Sequence, residues 1–97
     1  MDEQTVRPYA EAHAAAIAGG DVDHAVADLD DPLRAPMAPM VAQLSSVTTS
    51  AAVVSVEPSD DAAVVVIRYS GAGTETTIRS VWKQVGGRPL IVETAPA

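Results

Sequence analysis

The sequence predicts an α+β fold in which three N-terminal helices pack on a curved, four-stranded antiparallel meander sheet. Three turn signals divide the second half of the chain into four runs rich in Val, Ile and Thr: residues 58–61, residues 70–73, and Gly86-Gly87. Loops this short connect only antiparallel neighbours. In the first half, apolar residues recur at intervals of three and four, which indicates helices.

The first helix is predicted over residues 5–18, with Thr5 as its N-cap and Pro8 in the first turn, where a missing N–H costs nothing. Gly19-Gly20 ends this helix because glycine adopts the left-handed conformation of a helix C-terminus without steric cost. The predicted buried stripe consists of Val6, Tyr9, Ala10, His13 and Ile17.

A second, short helix is predicted after the N-cap Asp21, with a polar face formed by Asp21, His24, Asp28 and Asp31. The third helix is predicted to begin around Pro36, after the break at residues 30–32, and to run to about Ser45. No linker or repeat interrupts this pattern, so we expect one domain over residues 1–97.

Composition excludes several classes of function. The net charge is −7, and eight of the 13 carboxylates lie within residues 1–34, so we expect no nucleic-acid partner. Asp2 and Glu3 stand where a signal peptide needs positive charge, and no apolar run is long enough to span a membrane, so a cytoplasmic protein without a membrane partner is expected. No phosphate-binding glycine loop or nucleophile motif is present, and no cofactor is expected.

The hairpins predict which side chains share a face of the sheet, because strand side chains alternate with a period of two. The face covered by the helices is predicted to hold Val54, Val56, Val65, Ile67, Tyr69, Ile78, Trp82 and Ile91. The opposite face is also apolar, and a two-layer domain has nothing left to cover it. We therefore expect a homodimer through an interface formed by Val53, Val64, Val66, Arg79, Val81, Leu90 and Val92.

Candidate functional residues are few. His13 lies on the buried stripe and could carry a proton, or could be a hydrogen-bonded structural histidine. The register predicted for the last hairpin places Glu93 beside Ser80 on the helix-covered face, where burial would raise its pKa; fraying would instead leave it in solvent. A small apolar ligand could bind a pocket lined by Tyr9, His13, Met37, Met40, Tyr69 and Trp82.

The acidic residues and the histidine around the second helix are not expected to form a metal site. Asp21, Asp23, His24 and Asp28 have helical spacing, but Asp21 is used as a cap and no second histidine completes the set. The other members of this group are expected on a solvated helix face.

The order of elements resembles that of the nuclear transport factor 2-like superfamily, in its SnoaL-like bacterial branch with a cystatin-like α+β cone. The resemblance is carried by the Gly-Gly-Asp break at residues 19–21, the third helix ending near Leu44, and two closing strand segments, residues 79–82 and 87–92. It implies an apolar cavity inside the cone and dimerisation through the sheet. No carboxylate or histidine lies between Asp31 and Glu57, the region that supplies the base in the isomerases of this family.

Two functions follow as hypotheses. The first is a small homodimeric binding or scaffold domain that holds a small apolar ligand and is not an enzyme. The alternative is an isomerase, cyclase or dehydratase that acts on a cyclic apolar molecule, with His13 and Glu93 as proton-transfer groups and Tyr9 as a hydrogen-bond donor. An open pocket containing both His13 and Glu93 would favour the enzyme.

Overall fold

The computed structural model describes residues 1–97 and confirms the α+β class, with three helices followed by a four-stranded antiparallel sheet. Consecutive strands are neighbours in the sheet, in the order β1-β2-β3-β4. The elements are α1 Glu3–Ala18, α2 Val22–Ala27, α3 Asp31–Val47, β1 Ser50–Pro58, β2 Ala62–Gly71, β3 Thr74–Val85 and β4 Arg88–Pro96.

Helix α1 begins two residues earlier than predicted. Asp2 is the N-cap, and its carboxylate accepts a hydrogen bond of 2.8 Å from the backbone N–H of Thr5. Pro8 therefore lies in the second turn of the helix and not in the first. Gly19 ends the helix as predicted, and its N–H donates back to the carbonyl of Ala15.

Helix α3 begins five residues before the predicted start at Pro36. Asp30 is its N-cap, and Pro32 occupies the first turn, where a proline leaves no intrahelical bond unmade. Arg34 reinforces this turn, because its Nε donates to the carbonyl of Leu29 at 2.9 Å and its guanidinium pairs with Asp31 at 2.6 Å. The helix then continues through Pro36 and past Ser45 to Val47.

Two β-bulges change the faces predicted for single residues. One shifts the β1–β2 register between Val53 and Ser55, so that Val53 pairs with Ile67 on the helix-covered face and Val54 is 53% exposed. The prediction of Val53 in the outer interface, and of Val54 inside, is therefore wrong. The second bulge inserts Val92 between the pairs formed by Ile91 and Glu93.

The outer face of the sheet keeps a smaller apolar patch than predicted. Val64, Val66 and Val81 are half-buried there, with exposed Arg79 opposite Val66. Leu90 is only 7% exposed within the single chain, so it has little surface left to offer a partner.

The helices cover the inner face of the sheet unevenly. Helix α1 packs on β1 and β2, whereas α3 packs on α1 and α2 and hardly contacts the sheet. The segment after α2 is tied to β4, because the N–H of Ile91 donates to the carbonyl of Asp28 and its carbonyl accepts from the N–H of Asp30, both at 2.8 Å. One core of 14 buried residues, including Val6, Ile67 and Trp82, fills the space under α1. None of the three helices combines the length and the apolar character that a membrane-spanning helix needs.

Candidate functional site

A cleft lies where α3 stands away from the sheet. It has a volume of about 510 Å³, and 11 of its 17 lining residues are hydrophobic. The α3 wall is formed mainly by Met37, Met40, Val41, Leu44 and Val47, and the sheet contributes Tyr69, Thr76, Ile78, Ser80, Ile91, Thr94, Ala95 and Pro96. This volume falls within the range that small-molecule sites usually have, about 300 to 1,000 Å³.

The buried end of the cleft carries three polar side chains. His13, Tyr69 and Ser80 all line it and are between 3% and 5% exposed. The indole nitrogen of Trp82 is the only fully buried side-chain nitrogen or oxygen without a hydrogen-bond partner. Nε2 of His13 and the hydroxyls of Tyr69 and Ser80 make no hydrogen bond within the protein and are not among the fully buried unpaired atoms, so each keeps some accessible surface, and all three residues line the cleft.

Behind His13 lies a buried carboxylate, Asp28, whose side chain is 2% exposed. His13 Nδ1 lies 2.9 Å from one carboxylate oxygen, and the guanidinium of Arg88 lies 2.5 Å from the other. His24 Nε2 is 3.7 Å from the oxygen that His13 contacts. This ionic cluster (His13, His24, Asp28 and Arg88) joins α1, the end of α2 and the start of β4.

Arg88 and Trp82 fix the positions of their neighbours. The guanidinium of Arg88 lies over the ring of Tyr9, 5.0 Å from its centroid, and Arg88 Nε donates to the carbonyl of Pro89. The Trp82 ring meets the His13 ring edge to face, with centroids 5.8 Å apart and an interplanar angle of 88°. The imidazole is therefore held by Asp28 on one side and by Trp82 on another.

The surroundings shift the pKa of two groups. Burial alone would raise the pKa of the Asp28 carboxyl, but the hydrogen bonds that it accepts from His13 and Arg88, together with the positive charge of Arg88, outweigh burial and lower the pKa. Burial, and to a lesser degree the charge of Asp28, raises the pKa of the Tyr69 hydroxyl. At neutral pH, Asp28 is thus an anion and Tyr69 a neutral phenol.

The lowered pKa of Asp28 predicts an acid-sensitive contribution to stability. The unfolded state binds the proton more readily, so this contribution is complete above the ordinary aspartate pKa of 3.8 and disappears as the pH falls through the lower folded value. Denaturation curves measured from neutral to acid pH should show this loss, and Asp28→Asn should show less of it. Parallel acid losses in the two proteins would contradict the assignment.

The structure brings together only part of the predicted pocket. His13, Met37, Met40 and Tyr69 line the cleft. Trp82 does not, because it is fully buried behind His13. Tyr9 is 37% exposed at the edge of the α1 stripe and lines a separate cavity with His24, Asp28 and Arg88.

Glu93 does not reach the cleft. The bulge at Val92 pairs Glu93 with Val81 on the outer face of the sheet, where it is exposed, and Ser80 pairs with Thr94 instead. The predicted pair of proton-transfer groups, His13 and Glu93, is therefore not assembled. Among the residues considered for a metal, no group of three or more His, Cys, Asp or Glu side chains is arranged to hold one.

Sequence reasoning missed two residues of the cluster, Asp28 and Arg88. The sequence predicts Asp28 on a solvated face of the second helix, and as the C-cap of α2 it keeps helical backbone angles, but His13 of α1 and Arg88 of β4 cover it. One signal was available: a histidine on a buried stripe needs a hydrogen-bond partner. The chain gave no indication that the partner lies 15 residues later.

Comparison with known proteins gives a structural likeness but no match to a family model or a curated protein. The fold is similar to the solution structure of RPA3114, a SEC-C motif containing protein from Rhodopseudomonas palustris, with 20% sequence identity and a TM-score of 0.64. The similarity covers 86% of this chain and 71% of that one. At this identity the likeness shows the fold alone.

This result corrects the family expected from the sequence. The order of elements resembles the nuclear transport factor 2-like superfamily, but a SEC-C motif containing protein has a similar fold and no family model supports the assignment. A few helices followed by a meander are too general a pattern to define a family.

Proposed function

We propose that this chain is a small binding domain whose α3–sheet cleft holds a small, mainly apolar molecule. The observation that carries the proposal is the separation of α3 from the sheet, which leaves an apolar cleft of about 510 Å³ beside a well-packed core. A few polar groups at the buried end, His13, Tyr69 and Ser80, match the pattern of apolar sites with a small number of orienting contacts.

Binding is favoured over catalysis because only one candidate proton-transfer group lies in the cleft. His13 is oriented by Asp28, but Glu93 is on the outer face and Tyr9 lies in a different cavity. The three residues assigned to catalysis in the alternative function are therefore not assembled in one cavity.

A ligand screen with Met40→Glu tests the site. Met40 lines the cleft and is 60% exposed, so the substitution should cost little stability while placing a charge beside an apolar ligand. A neutral apolar ligand at about 100 times its dissociation constant should stabilise the natural sequence by roughly 2.7 kcal/mol in thermal or chemical unfolding. Met40→Glu should abolish most of that stabilisation.

Ala42→Glu is the matched control, because Ala42 is exposed on the same helix and does not line the cleft. It adds the same charge and should leave ligand stabilisation unchanged. Equal effects of the two substitutions, or no stabilisation by any steroid, polyketide or fatty alcohol, would contradict a ligand site in the cleft.

We also propose that the chain forms a homodimer through the outer face of the sheet. The support is the half-buried patch of Val64, Val66 and Val81, which no helix covers, beside exposed Arg79. Sedimentation at micromolar concentration should give twice the chain mass of 10.0 kDa. Val66→Lys, in the proposed interface, should sediment with the mass of one chain. Ala42→Lys, on α3 and outside the interface, should still sediment as a dimer. A natural sequence that sediments as a monomer would refute the dimer.

A further inference from the structure

We propose that the ligand of the cleft carries a neutral hydroxyl, phenolic or alcoholic, which donates a hydrogen bond to Nε2 of His13. This inference rests on the proposed function, since it needs a ligand in the cleft, and it specifies the chemical class of that ligand. It follows from the protons and charges that the ionic cluster imposes on the imidazole.

The first step is the position of the ring proton. Asp28 is ionised, so its oxygens can only accept hydrogen bonds, and His13 Nδ1 lies 2.9 Å from one of them. Nδ1 must therefore carry the N–H. In a neutral imidazole, the other nitrogen then presents a lone pair, so Nε2 is a hydrogen-bond acceptor.

The second step concerns the net charge of the ionic cluster if His13 takes up a second proton. Arg88 already neutralises Asp28 through the contact of 2.5 Å, so a second proton on His13 would leave a surplus positive charge among buried side chains. An unbalanced charge in apolar surroundings is unfavourable. A neutral ring therefore presents an acceptor at the buried end of the cleft.

The third step is orientation. His13 and Tyr69 are at most 5% exposed, whereas Met40 and Val47, which line the same cleft, are 60% and 46% exposed. The polar end of the cleft is therefore deep and its apolar end is open. A ligand would place its hydroxyl inward, next to His13, and its apolar body along α3.

Three probes with the same ring system test the inference by calorimetry at neutral pH. The first is 2-naphthol, which donates; the second is 2-methoxynaphthalene, which has the same oxygen without a proton; the third is the anion 2-naphthoate. We expect 2-naphthol to bind about three- to tenfold more tightly than the methyl ether, which corresponds to one neutral hydrogen bond. We expect 2-naphthoate to bind more weakly than either.

The outcomes separate this inference from the proposed function. If 2-naphthol and its methyl ether bind equally, the cleft is a ligand site but His13 does not accept a hydroxyl, and the inference is wrong. If 2-naphthoate binds most tightly, His13 acts as a cationic donor, and the inference is also wrong. If no probe binds, the proposed function fails, and the inference fails with it.

His13→Phe tests whether His13 is the acceptor of the ligand hydroxyl, because it keeps a ring beside Trp82 and removes both nitrogens. The preference for 2-naphthol over its methyl ether should fall to about one. If this variant does not fold, an NMR measurement on the natural protein tests the same assignment. The ¹⁵N resonance of His13 Nε2 should shift on addition of 2-naphthol and not on addition of the methyl ether. No shift with 2-naphthol would overturn the assignment.

Discussion

Asp28→Asn is expected to lower the free energy of unfolding by about 3 kcal/mol, one of the two largest effects of a single substitution in this chain. The carboxylate is 2% exposed and accepts from both His13 and Arg88. The amide keeps the shape of the side chain but removes the charge and turns one acceptor into a donor. Arg88 then lacks its counter-ion, and two donors face each other at one of the oxygen positions.

Asp23→Asn is the matched control for this prediction. Asp23 lies in the same short helix, is exposed, and makes no side-chain hydrogen bond. Its loss should cost less than about 1 kcal/mol, the usual contribution of a charge in the first turn of a helix. Urea denaturation of the three proteins, with similar m-values, measures the difference. If the two variants unfold at the same midpoint, the cluster does not stabilise the fold.

Gly71→Ala is expected to be comparably damaging, by about 3 kcal/mol, because a Cβ at this position would lie 1.7 Å from the carbonyl oxygen of Val47. This oxygen belongs to the backbone, so no side-chain rotation can move it out of the way. Val47 is the last residue of α3, and the neighbouring chain is held by the bond from the N–H of Thr49 to the carbonyl of Ser70. The added methyl would force the end of α3 away from the β2–β3 turn.

Gly73→Ala separates this clash from the usual cost of replacing a turn glycine. Gly73 lies two residues later with φ of +77°, and a Cβ there would meet nothing within 4 Å. Its replacement should cost about 1 kcal/mol, through the left-handed backbone alone. We expect thermal unfolding to rank Gly71→Ala well below Gly73→Ala in stability. The reverse order would show that α3 is not pressed against the turn.

The sequence predicted the strand faces well where hairpins are regular and poorly where they are not. In the second hairpin, a turn centred on Gly71-Ala72 predicts that Arg68 pairs with Glu75, whereas its partner is Thr77. The faces are unchanged because a register error of two residues preserves a period of two. A one-residue bulge reverses the face. Bulges at Val54 and Val92 therefore moved Val53 inward and Glu93 outward, and nothing in the composition of those strands announces them.

The candidate site was likewise predictable only where it depends on residues that are close in sequence. Local spacing correctly placed His13 on a buried stripe, because helical periodicity depends on neighbours in sequence. The cluster around Asp28 depends on residues 13, 28 and 88, which only the tertiary fold brings together. The cleft depends on α3 standing apart from the sheet, and no periodic pattern distinguishes a helix that covers a sheet from one that stands away from it.

The most direct test of the central claim, that the α3–sheet cleft binds an apolar molecule, is a two-dimensional ¹H–¹⁵N titration of the labelled protein with 2-methoxynaphthalene. We expect saturable shifts confined to cleft residues on both walls, including Leu44, Val47, Ile78 and Thr94. Shifts centred on the outer face, at Val64, Val66 and Val81, or no saturable shifts at all, would contradict it.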